Sequence, residues 1–112
     1  MVYEFRPSPD FERQAKKLAK HYPSFKQDLL QLLDSLRENP YQGVDLGGGI
    51  RKIRMTISSK GRGKAGGARV ITMNVNIDVE KMIIALLYIY DKAEIANVSD
   101  AFLQQIIKDL EM

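Results

Sequence analysis

Apolar positions along the chain fall into blocks with two distinct periods. Residues 2–6 form a short extended run closed by Pro7 and Pro9. From Asp10, the residues Phe11, Ala15, Leu18 and Tyr22 recur at helical spacing, and Pro23 stops that helix. Ser24 followed by Gln27 has the form of a capping box, and Phe25, Leu29, Leu32, Leu33 and Leu36 then make a second apolar stripe. Asn39-Pro40 ends it, and two helices so close in sequence predict an antiparallel hairpin. Residues 43–49 form a glycine-rich connection.

The second half changes period. Residues 50–57 alternate apolar and basic side chains imperfectly, with enough β-branched content to predict a strand. Residues 58–68 form a Gly/Lys/Ser loop without a large apolar side chain to anchor it. Residues 69–75 and 82–90 predict two more strands. The second is apolar on both faces and is therefore expected to be the central, most buried one. Ser99 stands as an N-cap between Val98 and Leu103, which have the spacing of a hydrophobic staple. Phe102, Leu103, Ile106, Ile107 and Leu110 make the last amphipathic helix. The order strand, helix, helix, three strands, helix predicts an α+β domain. Its expected form is an N-terminal strand and helical hairpin on a largely antiparallel sheet with a three-strand meander, plus a C-terminal helix. With the helices on one face, the other face is expected to be open to a ligand.

At 112 residues, the chain 1–112 reads as one domain, too short for a nucleotide-binding domain facing a substrate domain. The absence of cysteine excludes disulfides, thiolate metal sites and thiol nucleophiles. A single histidine, His21, excludes a His-rich metal site; its place at a helix C-terminus points to a structural role. No cofactor and no metal are expected. No run approaches the ~18–20 apolar residues of a membrane span, and the N-terminus lacks the apolar core of a signal peptide, so a cytoplasmic protein without a membrane partner is expected.

Charge adds the most information. The formal net charge is +3, but residues 51–69 hold seven of the 17 basic residues and none of the 14 acids. The remaining chain has ten basic residues against fourteen acids, a net −4. A single basic block on a mildly acidic chain is the electrostatic signature of a polyanion site. Within it, Gly61-Arg62-Gly63-Lys64-Ala65-Gly66 has the spacing of the dinucleotide fingerprint. That fingerprint needs a helix after the glycines to hold pyrophosphate, and here a strand follows. What is left is a loop with Lys60, Arg62 and Lys64 at every second position, suited to phosphates. Tyr88, Tyr90 and Lys92 share one strand face, where a tyrosine beside cations could stack a base or simply cover the rim of the core.

Three segments carry a resemblance: Ile50-Arg51-Lys52-Ile53-Arg54, the run 59–71 from Ser59 through Gly67-Ala68-Arg69-Val70-Ile71, and Leu86-Leu87-Tyr88-Ile89-Tyr90-Asp91-Lys92. Together with the closing helix they resemble the RelE/ParE toxin superfamily, and within it the HigB-like branch. The resemblance implies a type II toxin: a metal-independent endoribonuclease that cleaves mRNA in the ribosomal A site. It also implies a cognate antitoxin, expected to carry a helix-turn-helix DNA-binding domain. The family's catalytic positions fall on Lys52, Arg54, Arg69 and Lys92, while its C-terminal tyrosine falls on Val98, a departure. Arg51, Lys60, Arg62, Lys64, Tyr88 and Tyr90 are the candidate RNA or phosphate contacts. Strand alternation and the family pattern together put Arg69 beside Lys52 and Arg54 on the open face of the sheet.

The chemistry is consistent with these residues. Metal-free RNA cleavage needs a base, an acid and charge stabilisation at phosphorus, and a group of cations supplies the last directly. Lys52, beside Arg51 and Arg54, is the candidate base; arginine is too basic for that role, so Arg54 is assigned to phosphate. Lys92 is the candidate acid. Two alternatives remain: a ParE-like gyrase inhibitor, and a non-enzymatic RNA- or phosphate-binding module.

Overall fold

Ser8 sets the start of the first helix. Its buried hydroxyl accepts from the Phe11 amide at 2.9 Å and donates to the Leu87 carbonyl at 2.6 Å, so one side chain caps the helix and ties it to the sheet. Pro9, at the first helical position, needs no partner for a missing N–H. In the computed structural model, which describes residues 1–60 and 67–110, this helix is α1 (Pro9–His21), preceded by β1 (Val2–Pro7) and followed by α2 (Phe25–Glu38). The chain continues through β2 (Val44–Gly47), β3 (Ile50–Met55), a short 3-10 turn (Ser58–Lys60), β4 (Ala68–Asp78), β5 (Lys81–Asp91) and α3 (Asp100–Asp109). The class is α+β, as the pattern predicts.

The five strands run in the order β1-β5-β4-β3-β2. From β2 to β5 they form an antiparallel meander, and β1 joins β5 in parallel. The meander is one strand longer than expected, because residues of the glycine-rich connection pair with β3. Gly43, just before β2, lets the chain come this close to β3. Its φ is +88°, and a Cβ there would lie 2.2 Å from the Lys52 carbonyl oxygen. The expected capping box at Ser24 does not form. Its hydroxyl instead donates to Asp28 at 2.7 Å and accepts from the Ser59 amide at 2.8 Å, because a long-range partner competes with the local one. Ser99 does cap α3, accepting from the Phe102 amide at 3.1 Å.

Strand side chains alternate between two cores. Ile53, Met55, Val70, Ile84, Leu86 and Ile89 face α1 and α2, where Phe11, Leu18, Phe25 and Leu36 cover them. Ile50, Ile71, Met73, Ala85, Leu87, Tyr88 and Tyr90 face Leu103 and Ile106 of α3. The helices therefore lie on both faces, which corrects the expectation of one covered and one open face. The physical reason is β5 itself. A strand apolar on both sides has to be covered on both sides, and only α3 remains to do it. A bulge at Leu87, left without a partner between the Ile71–Tyr88 and Thr72–Leu86 pairs, turns Leu87 and Tyr88 to the same side and widens the surface under α3. Among the described residues, no helix is long and apolar enough to cross a membrane.

Candidate functional site

The register of β3 against β4 builds the site. Lys52 pairs with Ile71, and Arg54 pairs with Arg69. Residues two apart on a strand share a face, so Lys52, Arg54 and Arg69 lie on the same side of the sheet as Ile50 and Ile71. The shared face is the one expected from the sequence, but the expected open position of Arg69 is corrected, because the guanidinium is buried. Arg54 is exposed, Lys52 half-buried and Arg69 buried at 7% exposure.

Arg69 is held between Arg54 on β3 and Tyr90 on β5, its cross-strand partners on either side. Its guanidinium donates to the Ala68 carbonyl at 3.2 Å. Among the described residues, no carboxylate lies within ion-pair distance of Lys52, Arg54, Arg69 or Lys92. The Tyr90 hydroxyl, buried beside Arg69, also has no hydrogen-bond partner among the described residues. Burial pushes its pKa up, and the positive charge of Arg69 draws it partly back. A buried cation without a counter-charge costs several kcal/mol, roughly the 3–5 kcal/mol of a broken buried pair. An anion among these three cations would relieve that cost through charge-assisted hydrogen bonds.

Lys92 follows directly on β5. Its ammonium donates to the Ala96 carbonyl at 2.8 Å, and that of Lys52 to Asn97 Oδ1 at 3.4 Å. The two lysines thus hold neighbouring residues of the turn that leads into α3. Val98, where the resemblance led to the expectation of a tyrosine, packs against the α3 core.

The other candidates separate from this group. Arg51 points to the opposite face, because adjacent strand residues alternate. There its guanidinium donates to the carbonyls of Gln42 at 2.9 Å and Gly43 at 3.0 Å, bracing the entry to β2. The charge flanking Lys52 on its own face therefore comes from Arg54, not Arg51. Tyr88 and Tyr90 are 8% and 1% exposed, and Phe102 of α3 meets Tyr88 edge-on at 4.9 Å. Neither ring offers a face to a base, so stacking is corrected to core packing, with the Tyr90 hydroxyl as the remaining polar contribution. Lys60 is not a solvated loop cation: its side chain is 9% exposed and its ammonium lies 2.8 Å from Asp91 Oδ1. Arg62 and Lys64 lie outside the described residues.

Two buried aspartates, both overlooked by pattern reading, fix the 3-10 turn that leads toward the basic loop. Asp91 accepts from Lys60, from the Tyr22 hydroxyl at 2.5 Å and from the Ala93 amide at 2.9 Å. Burial alone would raise its pKa, but these hydrogen bonds and the Lys60 charge outweigh burial and hold it below the usual carboxylate range. Asp28 accepts from Ser24, the Ser58 amide and the Ser58 hydroxyl at 2.7–2.9 Å, and its pKa is likewise held down against burial. Both carried a legible signal. Asp28 sits at core-face spacing, three residues after Phe25 and four before Leu32, and Asp91 continues the buried run of β5.

Compared with protein-family models and with curated proteins, the chain finds no match.

Proposed function

We propose that this chain is a RelE/ParE-type toxin of the HigB-like branch, a metal-independent endoribonuclease that cuts mRNA during translation in the cytoplasm and is neutralised by a cognate antitoxin. The observation that carries the reading is Arg69: a buried guanidinium without a carboxylate partner among the described residues, on one face with Lys52 and Arg54. Such a group is preorganised for a phosphate and least costly when one is bound. The resemblance of the segments around Lys52, Arg69 and Lys92 to this superfamily adds the reaction.

In this reading, Arg69 and Arg54 hold the scissile phosphate and stabilise the negative charge that grows on it in the transition state. Lys52, on the same face and as the free amine, takes the proton of the attacking 2′-hydroxyl, and Lys92, as the ammonium, delivers one to the departing 5′-oxygen. With so few acid/base groups, positioning of the mRNA by the ribosome supplies much of the rate.

The test is induced expression with primer-extension mapping of mRNA cuts, for wild type and Arg69→Ala at matched levels. Wild type is expected to arrest growth, halt translation before replication and leave defined cuts. Arg69→Ala is expected to lose at least about a hundredfold in cutting. Undiminished cutting by the variant would remove Arg69 from the mechanism. Intact mRNA with wild type would leave a phosphate-binding module, and replication stopping first would favour gyrase as the target.

A further inference from the structure

The face that carries the cations continues along the strands into a cavity. From Arg54, β3 next presents Lys52 and then Ile50 on the same side; β4 presents Arg69, Ile71 and Met73. Ile50 and Met73 are direct cross-strand partners and form the floor of a cavity of about 400 Å³. The β2–β3 turn walls it on one side and α3 roofs it. The space opens to solvent past Gly47, Gly48, Asp100 and Gln104, all exposed, so a ligand can reach its buried apolar floor. Each two-residue step along a strand covers about 6.6 Å. The floor therefore begins one step beyond Lys52, within the reach of a nucleotide from its phosphate to its base.

We propose that this cavity receives the base of a nucleotide whose phosphate rests on Lys52, Arg54 and Arg69, and that it favours bases with an exocyclic amino group over uracil. The inference rests on the phosphate-binding reading of the cations and adds the base that lies next to it.

The lining fits a base. Ile50 and Met73 are buried and apolar, suited to the flat face of a ring. Asp100 and Gln104, one helical turn apart on α3, put polar groups on the lining. An ionised carboxylate only accepts hydrogen bonds. The amino group of cytosine or adenine donates to it, whereas uracil presents a carbonyl oxygen that it repels. The Gln104 amide both donates and accepts, so it binds either kind of base without selecting. Selectivity therefore resides in Asp100. Ser99, not Asp100, caps α3, so the helix start does not depend on the selecting residue.

The experiment titrates the isotope-labelled full chain with CMP, UMP and ribose 5-phosphate, followed by amide NMR shifts. Ribose 5-phosphate is expected to move the signals of Lys52 and Arg69 alone. CMP is expected to move these and also Gly48, Leu103 and Gln104, and to bind about tenfold more tightly than UMP, the worth of one hydrogen bond to a charged acceptor. Asp100→Ala is expected to bring CMP and UMP to near parity while its spectrum stays that of the folded chain. If CMP and ribose 5-phosphate move the same signals, or CMP and UMP bind equally to wild type, the base site is refuted while the phosphate reading stands. If none of the three moves Lys52 or Arg69, the phosphate reading falls and takes the base site with it.

Discussion

Arg69 stands directly opposite Arg54 across the β3–β4 pair, two like charges facing each other on one side of the sheet. Like charges directly opposite destabilise a sheet, and one of these two is buried. Such an arrangement works against stability. Replacing Arg69 with methionine, similar in length and uncharged, is therefore expected to raise the urea midpoint by the equivalent of about 1 kcal/mol. Inorganic phosphate is expected to raise the melting temperature of wild type and not that of Arg69→Met. A variant destabilised by more than about 1 kcal/mol would assign the guanidinium a structural role instead.

Asp91 makes stability depend on acid pH. Its folded pKa, like that of Asp28, lies below the ordinary value. A carboxyl depressed in the fold contributes stability that is complete above its unfolded pKa, near about 4, and is lost as pH falls through the folded value. Wild type is expected to hold a level urea midpoint down to about pH 5 and then lose it steeply. Asp91→Asn strands the buried Lys60 ammonium, so a loss of about 3 kcal/mol at neutral pH and a flatter acid limb are expected. Parallel curves for the two proteins would contradict this.

Tyr22 governs the alkaline limb. Its hydroxyl donates to Asp91, and this hydrogen bond, with burial and the negative charges of Asp91 and Glu94, pushes its pKa from 10.0 up to about 12. The folded value exceeds the unfolded one, so the stability it confers is full below pH 10.0 and is lost as pH rises toward about 12. In a spectrophotometric titration, one tyrosine is expected to ionise near pH 12 and to vanish from the curve in Tyr22→Phe. Burial also raises Tyr88 and Tyr90, so the late phase is expected to shrink by one tyrosine in Tyr22→Phe; an undiminished late phase would show that the Asp91 hydrogen bond does not hold Tyr22 protonated.

Gly43 tests how tightly β2 is pressed onto the strand that carries Lys52. An alanine there would meet the Lys52 carbonyl at 2.2 Å while held at a φ of +88°. The left-handed backbone and the clash together are expected to cost about 2–4 kcal/mol, read as a lowered urea midpoint, with amide shifts spreading to Lys52. An unchanged midpoint would mean that β2 is not fixed there.

Much of the fold was legible because secondary structure is written in short periods. The stripe from Phe11 to Tyr22, the alternation of Ile50-Arg51-Lys52-Ile53-Arg54 and the serine before Asp100 each specify an element from residues within one or two turns of one another. Two-residue spacing also sufficed to put Lys52 and Arg54 on one face. The cap at Ser24 failed for the complementary reason: its competitor, Ser59, lies 35 residues away and leaves no local trace.

By itself, then, the sequence determined the element types, the α+β class, the basic block and the shared face of Lys52 and Arg54. Only the tertiary structure decided that Arg69 is buried and flanked by Tyr90, that Lys60 is consumed by Asp91, and that α3 buries Tyr88 and Tyr90 on the face expected to be open. An amphipathic helix reports that it has an apolar side, not which surface meets it. A strand reports its two faces, not its partners. Register and side are set by the burial and hydrogen bonding of the whole sheet together, and that sum is not contained in any local stretch of the chain.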